Sequence, residues 1–194
     1  PDDFPNNTST FDKFVKMQHY SLPTRLLDIT ENPLVALYFA CKTNELRKGK
    51  VLLFVEHQSL ISYYDSNDVC LLSNLVRQDR YFSPKKSLLI DVKREFGIFD
   101  GRSVSKNDLS RVICVLPKKD DARVRNQSGA FYLFGMKKTI LDCPDEPIPM
   151  IEISIDSSCK CEILKELSQI GIQESFLFPE LEKSMEMIRN RYSR

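Results

Sequence analysis

Side chains able to bind or react with a ligand are concentrated in two stretches of this sequence. The first stretch, "MQHYSLPTRLLDITENPLVALYFAC" (Met17 to Cys41), places many polar groups directly before an apolar run. These groups belong to His19, Tyr20, Thr24, Arg25, Asp28, Thr30 and Asn32. A structural interpretation has Asn32 capping a helix, Thr30 satisfying a backbone amide, and Arg25 paired with Asp28. Structure alone seldom demands His19, Tyr20 and Arg25 together beside one turn, so a polar pocket is the functional alternative.

The second stretch is "RVRNQSGAF", Arg123 to Phe131, where a turn meets an apolar strand. A hairpin turn explains its Asn and Gly, which are common turn residues. The functional alternative places the Gln127 amide, both a donor and an acceptor, at the mouth of a strand. Arg123 and Arg125 would then contact a phosphate, or would simply form a solvated face.

Other kinds of chemistry find little support in the sequence. No Gly-x-Ser-x-Gly elbow accompanies His57, and with two histidines in the chain no Cys–His pair is evident. The six cysteines are scattered, and the closest two, Cys159 and Cys161, lack partners at zinc-site spacing, so no metal is predicted. Six glycines leave little room for a phosphate-binding loop.

Composition predicts one soluble, reduced, cytoplasmic domain over residues 1–194. The chain is 42% hydrophobic and 28% charged, with a formal net charge of +1 and no signal peptide or membrane-length apolar span. Nucleic-acid binding is therefore the weakest interpretation, because acids interleave with the basic residues that would make a patch. Those basic residues are Arg77, Arg80, Lys85, Lys86, Lys118, Lys119, Arg123 and Arg125.

The predicted helices and strands that position these residues alternate without a βαβ rhythm. They indicate an α+β fold with small mixed sheets flanked by helices. A helix over "TFDKFVKMQHY" and a short strand or extended loop over "TRLLDIT" precede a helix that starts at Asn32-Pro33 and ends near Gly49. "KVLLFVEH" predicts a buried strand and "MIEISID" a half-buried one. "RVICVLP" and "AFYLFG" predict further strands. Helices are predicted in "SNDVCLLSNLVRQ", "KKSLLIDVKREF", "SSCKCEILKELSQIG" and "FPELEKSMEMIRNRY".

The first stretch resembles the FRG domain family, whose pattern is Gln-His-Tyr-Gly-Leu-Pro-Thr-Arg-Leu-Leu-Asp-Trp-Thr, then Asn-Pro and Ala-Leu-Tyr-Phe-Ala. "QSGAFYLFG" and "GIQESFLFPELE" resemble later segments of that family, so the likeness runs from Phe11 to about Tyr192. Ser21 replaces the usual Gly, which limits any need for positive φ there, and Ile29 replaces the usual aromatic residue. The Phe/Tyr-Arg-Gly tripeptide that names the family does not occur before His19, so it either preceded Pro1 or is missing from this member.

A further resemblance links "PTRLLDIT" and "NPLVALYFA" to the strand and helix of ADP-ribosyltransferases with an Arg–Ser–Glu layout. It implies an ADP-ribosyltransferase-like core with NAD as substrate, acting as an ADP-ribosyltransferase or as an NAD glycohydrolase, in a bacterial toxin or anti-phage effector. The acceptor, protein or nucleic acid, is left open, and no membrane partner is expected. The catalytic set it implies is His19, Tyr20, Arg25 and Gln127. The implied cofactor-binding set is Thr24, Arg25, Asp28, Thr30, Asn32, Tyr38, Gly129 and Phe131.

Gln127 stands where such a transferase carries Glu, and an amide cannot supply the negative charge that stabilises an oxocarbenium ion. The alternative is a ligand- or partner-sensing module that binds without turnover. The geometry expected for either has the strand after "QSG" beside "TRLLDIT", bringing Gln127 and His19 to one cleft. The helix Pro33 to Leu46 would pack its Leu34, Leu37, Tyr38 and Cys41 side beneath that cleft.

Overall fold

A computed structural model describes residues 8–43, 46–78, 87–96, 104–136 and 148–179, with the side chain of Phe96 left out. Its α-helices are α1 (Thr10–His19), α2 (Pro33–Lys42), α3 (Asn67–Ser73), α4 (Ser87–Phe96), α5 (Lys106–Leu109), α6 (Ala122–Asn126), α7 (Lys160–Gln169) and α8 (Glu174–Leu177). Its strands are β1 (Leu26–Thr30), β2 (Gly49–Phe54), β3 (Ile61–Tyr63), β4 (Val112–Leu116), β5 (Gly129–Phe134) and β6 (Met150–Ile155). Short 3-10 helices lie at Gln58–Leu60, Asn74–Arg77 and Ser157–Cys159. The fold is α+β with small sheets and flanking helices, as predicted.

The described residues fall into two compact units. Unit 1 draws on the ranges 1–28, 56–117 and 131–148, and unit 2 on 29–55, 118–130 and 149–194. Each unit has its own apolar cluster. That of unit 1 includes Phe11, Leu71, Val92 and Leu133, and that of unit 2 includes Val35, Tyr38, Leu167, Ile172 and Leu177. The single domain over residues 1–194 stays a prediction.

Helix α1 begins and ends where local chemistry dictates. The side chain of Ser9 accepts a hydrogen bond from the amide of Asp12, and Phe11 and Phe14 bury one face of the helix. At the other end the amide of Leu22 donates to the Met17 carbonyl and the amide of Ser21 to the Gln18 carbonyl. This is a Schellman cap, which needs a residue with positive φ at the position that Ser21 occupies.

Ser21 has φ of 60°. The prediction that Ser21 limits any need for positive φ at this position is therefore wrong. The cap geometry imposes positive φ on a residue that disfavours it. The resulting strain costs free energy that glycine would not lose.

The larger sheet has the strand order β1-β5-β4-β3. Strands β4 and β5 pair antiparallel, and β3 joins β4 in parallel. The amide of Phe134 donates to the Arg25 carbonyl, and the amide of Glu31 to the Ser128 carbonyl. These bonds lie at opposite ends of an antiparallel pairing, so the predicted placement of the second stretch beside "TRLLDIT" is confirmed.

Strand β5 is entered differently from the predicted hairpin turn. Residues Ala122–Asn126 form helix α6, which Asp121 caps through a hydrogen bond from the amide of Val124. Gln127 ends this helix, and Ser128, with φ of 46°, turns the chain into β5. The connection is therefore a helical turn. The hairpin turn that we predicted from the Asn and Gly residues is wrong.

Helix α2 is shorter than predicted, and the face that it buries differs in part from the predicted one. It is capped by Asn32 as expected but ends at Lys42, because Thr43 is already extended, with φ of −90° and ψ of 131°. Val35, Tyr38 and Cys41 face the core, whereas Leu34 is exposed. The predicted face was thus right for Tyr38 and Cys41 and wrong for Leu34.

The second sheet is a two-stranded antiparallel ribbon of β2 and β6. Both strands were predicted, but their burial was not: Leu53, Ile151 and Ile153 are each about half exposed, and only the end of the ribbon at Gly49 and Ile155 is buried. Alternating apolar residues do not reveal whether another layer covers them. Within the described residues no helix is long and apolar enough to cross a membrane. The predicted terminal helix lies beyond Pro179 and outside the described residues.

Candidate functional site

Gln18 organises the polar residues of the first stretch. Its side-chain oxygen accepts a hydrogen bond from the Thr24 hydroxyl at 2.6 Å, and its Nε2 donates to Oδ1 of Asp28 at 2.8 Å. The same nitrogen approaches the Leu26 carbonyl at 3.4 Å, and the Thr24 oxygen accepts from the Leu26 amide at 3.1 Å. Thr24 and Asp28, both predicted ligand contacts, are thus tied to each other through an amide that the prediction left out. Gln18 continues the i, i+3, i+7 stripe of Phe11 and Phe14, a signal that would have placed it on the inner face of α1.

His19 and Tyr20 follow Gln18 at the capped end of α1. Their ring centroids lie 5.6 Å apart with a tilt of 58°. His19 is half-buried, while Tyr20 is 61% exposed. The Schellman cap fixes the backbone beneath both rings, so the pair presents an aromatic surface from a defined position.

Arg25 contacts its own chain. Its Nη1 donates to the Gly135 carbonyl, and its own carbonyl accepts from the amide of Phe134. Gly135 itself admits no side chain, because a Cβ there would lie 2.2 Å from the Leu109 carbonyl oxygen. The guanidinium predicted to meet a pyrophosphate therefore holds the end of β5 beside the start of β1.

In unit 2, Thr30 and Asn32 form a capped turn that leads into α2. The Thr30 hydroxyl donates to the Gln127 carbonyl at 2.6 Å and accepts from the Asn32 amide at 3.0 Å. Oδ1 of Asn32 accepts from the amide of Leu34 at 3.0 Å, which caps the helix. The two stretches of the sequence do meet here, through Thr30 and the backbone of Gln127.

The side chains of Asn126 and Gln127 hold the C-terminal end of α8. Nδ2 of Asn126 donates to the Phe176 carbonyl at 2.6 Å, and Nε2 of Gln127 donates to the Leu177 carbonyl at 2.9 Å. The Arg123 guanidinium lies over the ring of Phe178 at 4.8 Å. Gln127 is therefore not bound to its own turn, but its amide nitrogen is engaged by the chain.

Three other residues that were predicted to contact a ligand lie in ordinary core or strand positions. Phe131 is buried and meets Phe11 edge-on, with centroids 6.1 Å apart. Tyr38 is buried in the core of unit 2, and burial raises the pKa of its hydroxyl. Gly129 begins β5, and a Cβ there would meet Val124 at ordinary van der Waals distances.

The predicted residues divide between the two units. His19, Tyr20, Thr24, Arg25, Asp28 and Phe131 belong to unit 1, and Thr30, Asn32, Tyr38, Gln127 and Gly129 belong to unit 2. One cleft shared by His19 and Gln127 stays a prediction. Within the described ranges no group of His, Cys, Asp and Glu side chains could hold a metal ion.

A hydrogen-bonded cluster around the partly buried carboxylate of Glu95 was missed by the sequence reasoning. Glu95 accepts hydrogen bonds from the Thr10 amide at 2.8 Å, the Thr10 hydroxyl at 2.6 Å and Nδ2 of Asn74 at 3.2 Å. Nη2 of Arg77 lies 3.5 Å from the same carboxylate. Leu88, Val92 and Glu95 are spaced i, i+4, i+7 on α4, so the signal was a charge on a buried helical face. The cluster fixes the start of α1, at the opposite end from His19 and Tyr20.

The basic residues proposed for nucleic acid are largely engaged. Lys118 pairs with Asp120 at 2.9 Å and Lys119 with Glu31 at 3.2 Å. Arg125 donates to the carbonyls of Lys119 and Asp120. Arg80, Lys85 and Lys86 lie outside the described residues.

Comparison with known protein families gives a match to the first part of the chain. Residues 3–49 match the family model of the FRG domain. No curated protein matches this chain significantly, and no solved structure does, so the ADP-ribosyltransferase-like core stays a prediction. The matched range contains Gln18, the capped turn at Ser21, strand β1 and helix α2, which are the parts of the signature described above. The predicted resemblance of the first stretch to the FRG domain is confirmed by this match over residues 3–49, and the likeness of the later segments stays a prediction.

Proposed function

We propose that this FRG domain protein binds a nucleotide of the NAD type against the His19–Tyr20 ring pair and does not consume it. The observation that carries the proposal is the exposed ring of Tyr20, held beside His19 by the rigid cap of α1. Aromatic side chains of this kind stack on bases of any sequence, each worth about 1–3 kcal/mol. An adenine or nicotinamide ring suits such a surface.

Two polar side chains that a transferase would use are hydrogen-bonded within the chain, and this favours binding without turnover. Cleaving the nicotinamide–ribose bond develops positive charge on the ribose, which a carboxylate must stabilise. Gln127 carries no charge, and its amide nitrogen donates to the Leu177 carbonyl. Arg25, the group expected at the pyrophosphate, donates to the Gly135 carbonyl.

The experiment is an incubation of the full-length protein with NAD labelled in the nicotinamide and in the adenosine. We expect no released nicotinamide and no labelled acceptor in lysate, together with a melting temperature that rises with NAD concentration. The rise should be lost in Tyr20→Ala and kept in Tyr63→Ala. The control is well matched, since Tyr63 is also 61% exposed and also lies in unit 1.

A second candidate is an ADP-ribosyltransferase-like enzyme, acting as a toxin or anti-phage effector. It is supported by the order of elements, since β1 runs into capped helix α2 and β5 lies beside β1. Released nicotinamide or a labelled acceptor in the same incubation would favour it over binding alone. Gln127→Ala should then abolish turnover, and Asn126→Ala, which removes the neighbouring bond to α8, should not.

A further inference from the structure

Two consecutive side-chain amides at the end of α6 are each held in one orientation. Nδ2 of Asn126 donates to the Phe176 carbonyl at 2.6 Å, and Nε2 of Gln127 donates to the Leu177 carbonyl at 2.9 Å. A backbone carbonyl only accepts hydrogen bonds, so each amide must turn its nitrogen, and not its oxygen, toward α8. The oxygens of both amides are therefore directed away from those two carbonyls.

The two amide oxygens are open acceptors. Within the described residues no group donates a hydrogen bond to Oδ1 of Asn126 or to Oε1 of Gln127. Both residues are half-buried, and both oxygens keep contact with solvent. Since the nitrogens are already engaged, a ligand that binds to this pair of amides must supply hydrogen-bond donors.

The charge of α6 narrows the class of donor. Arg123, Asn126 and Gln127 are spaced i, i+3, i+4, so they share one face of the helix. The guanidinium of Arg123 lies 4.8 Å from the ring centroid of Phe178. Its positive charge at this face disfavours an ammonium ligand, because like charges repel. A neutral N–H group, such as that of a primary carboxamide, does not meet this repulsion.

Aromatic rings lie around the same part of unit 2. The ring of Phe39 on α2 meets the ring of Phe178 edge-on, with centroids 6.0 Å apart. Phe39 and Phe176 are both exposed, so each presents part of a ring to solvent. A flat aromatic ligand can pack on such rings in an offset or edge-on arrangement. The surroundings of the two amides therefore suit a ring that carries the N–H donors.

We propose that Asn126 and Gln127 form a ligand site for a primary carboxamide attached to an aromatic ring. The two N–H bonds of the carboxamide donate to the two side-chain oxygens, and the ligand ring packs on the exposed phenyl rings. All of these residues belong to unit 2. The site does not use the His19–Tyr20 ring pair of unit 1, so it goes beyond the proposed function and does not depend on it.

A titration of nicotinamide into the full chain tests the proposal, followed by NMR of the side-chain amide groups. We expect the signals of Asn126 and Gln127 to shift and to saturate. N,N-dimethylnicotinamide is the matched ligand, because it keeps the ring and the carbonyl but has no N–H to donate. It should bind about tenfold more weakly or worse, since two hydrogen bonds are lost.

Gln127→Lys is the matched variant. Its ammonium group keeps a donor for the Leu177 carbonyl but offers no acceptor, so the fold should be kept while the affinity for nicotinamide falls about two- to tenfold. Asn126→Ala removes the other acceptor and repeats the test if Gln127→Lys does not fold. Circular dichroism on each variant shows that lost binding is not a lost fold.

Equal affinity for the two ligands would overturn the proposal, as would unchanged amide signals in the folded wild type. Tyr20→Ala separates this site from the ring pair, because the shifts of Asn126 and Gln127 should be the same in that variant. Shifts that disappear in Tyr20→Ala would assign the ligand to the ring pair and contradict a site in unit 2. Loss of NAD binding with these shifts kept would count against the proposed function alone.

Discussion

Strands β2 and β5 have similar sequences and opposite surroundings. Gly49–Phe54 reads Gly-Lys-Val-Leu-Leu-Phe and Gly129–Phe134 reads Gly-Ala-Phe-Tyr-Leu-Phe. Strand β5 lies between β1 and β4 and is buried over Ala130–Leu133, whereas β2 has one neighbour and is half open. The comparison teaches that an apolar strand is buried by what lies beside and over it, and not by its own composition.

Truncating the fifth residue of each strand should give the largest difference in the free energy of unfolding between β5 and β2. Leu133→Ala empties a fully buried position in the core of unit 1 and should lower the free energy of unfolding by about 3 kcal/mol. Leu53→Ala removes a side chain that is already half in water and should cost less than about 1 kcal/mol. Urea unfolding of both variants measures the difference. Equal losses would show that β2 is as well covered as β5.

For the first residue of each strand we expect the opposite order, with the larger loss of stability in β2. A Cβ on Gly49 would lie 2.5 Å from the Ala40 carbonyl oxygen, so Gly49→Ala must push backbone aside and should cost about 1–3 kcal/mol. A Cβ on Gly129 would meet only ordinary contacts at 3.5 Å and beyond, so Gly129→Ala should change stability by less than about 0.5 kcal/mol. Thermal unfolding of the two variants decides it. A tolerated Gly49→Ala would contradict the close approach of β2 to α2.

The comparison also explains what the sequence could predict. Helix α1 and helix α2 with its Asn32 cap rest on local signals that the structure keeps. The placement of β5 beside β1 was also predicted, although the two strands are distant in sequence. Burial of β2 depends on a layer that no local signal describes. The predicted buried strand was therefore present but exposed.

The polar residues of the candidate site carry the same lesson. Thr24, Arg25 and Gln127 have the side chains of a ligand site, yet each makes a hydrogen bond within the chain. Their partners are Gln18 and the carbonyls of Gly135 and Leu177, and a carbonyl has no residue type to read in a sequence. Residue type predicted where polar groups gather, and the fold decided which of them bind one another.

The smallest expected effect concerns the turn that leads into β5. Ser128 has φ of 46° and Ser21 has φ of 60°, and both occupy the region that glycine enters without strain. Ser128→Gly and Ser21→Gly should each raise the free energy of unfolding by about 0.5–1 kcal/mol. Denaturant titration measures the gain, with Ser62→Gly inside strand β3 as a control that should lose stability. A loss in both turn variants would mean that the serine side chains hold these turns.

Calorimetric titration of NAD into the wild type, Tyr20→Ala and Tyr63→Ala tests the central claim most directly. The account predicts saturable binding to the wild type and to Tyr63→Ala. It also predicts an affinity weaker by about 10- to 100-fold in Tyr20→Ala, which corresponds to the loss of one stacked ring. Equal affinity in all three proteins, or no heat of binding to folded wild type, would contradict it.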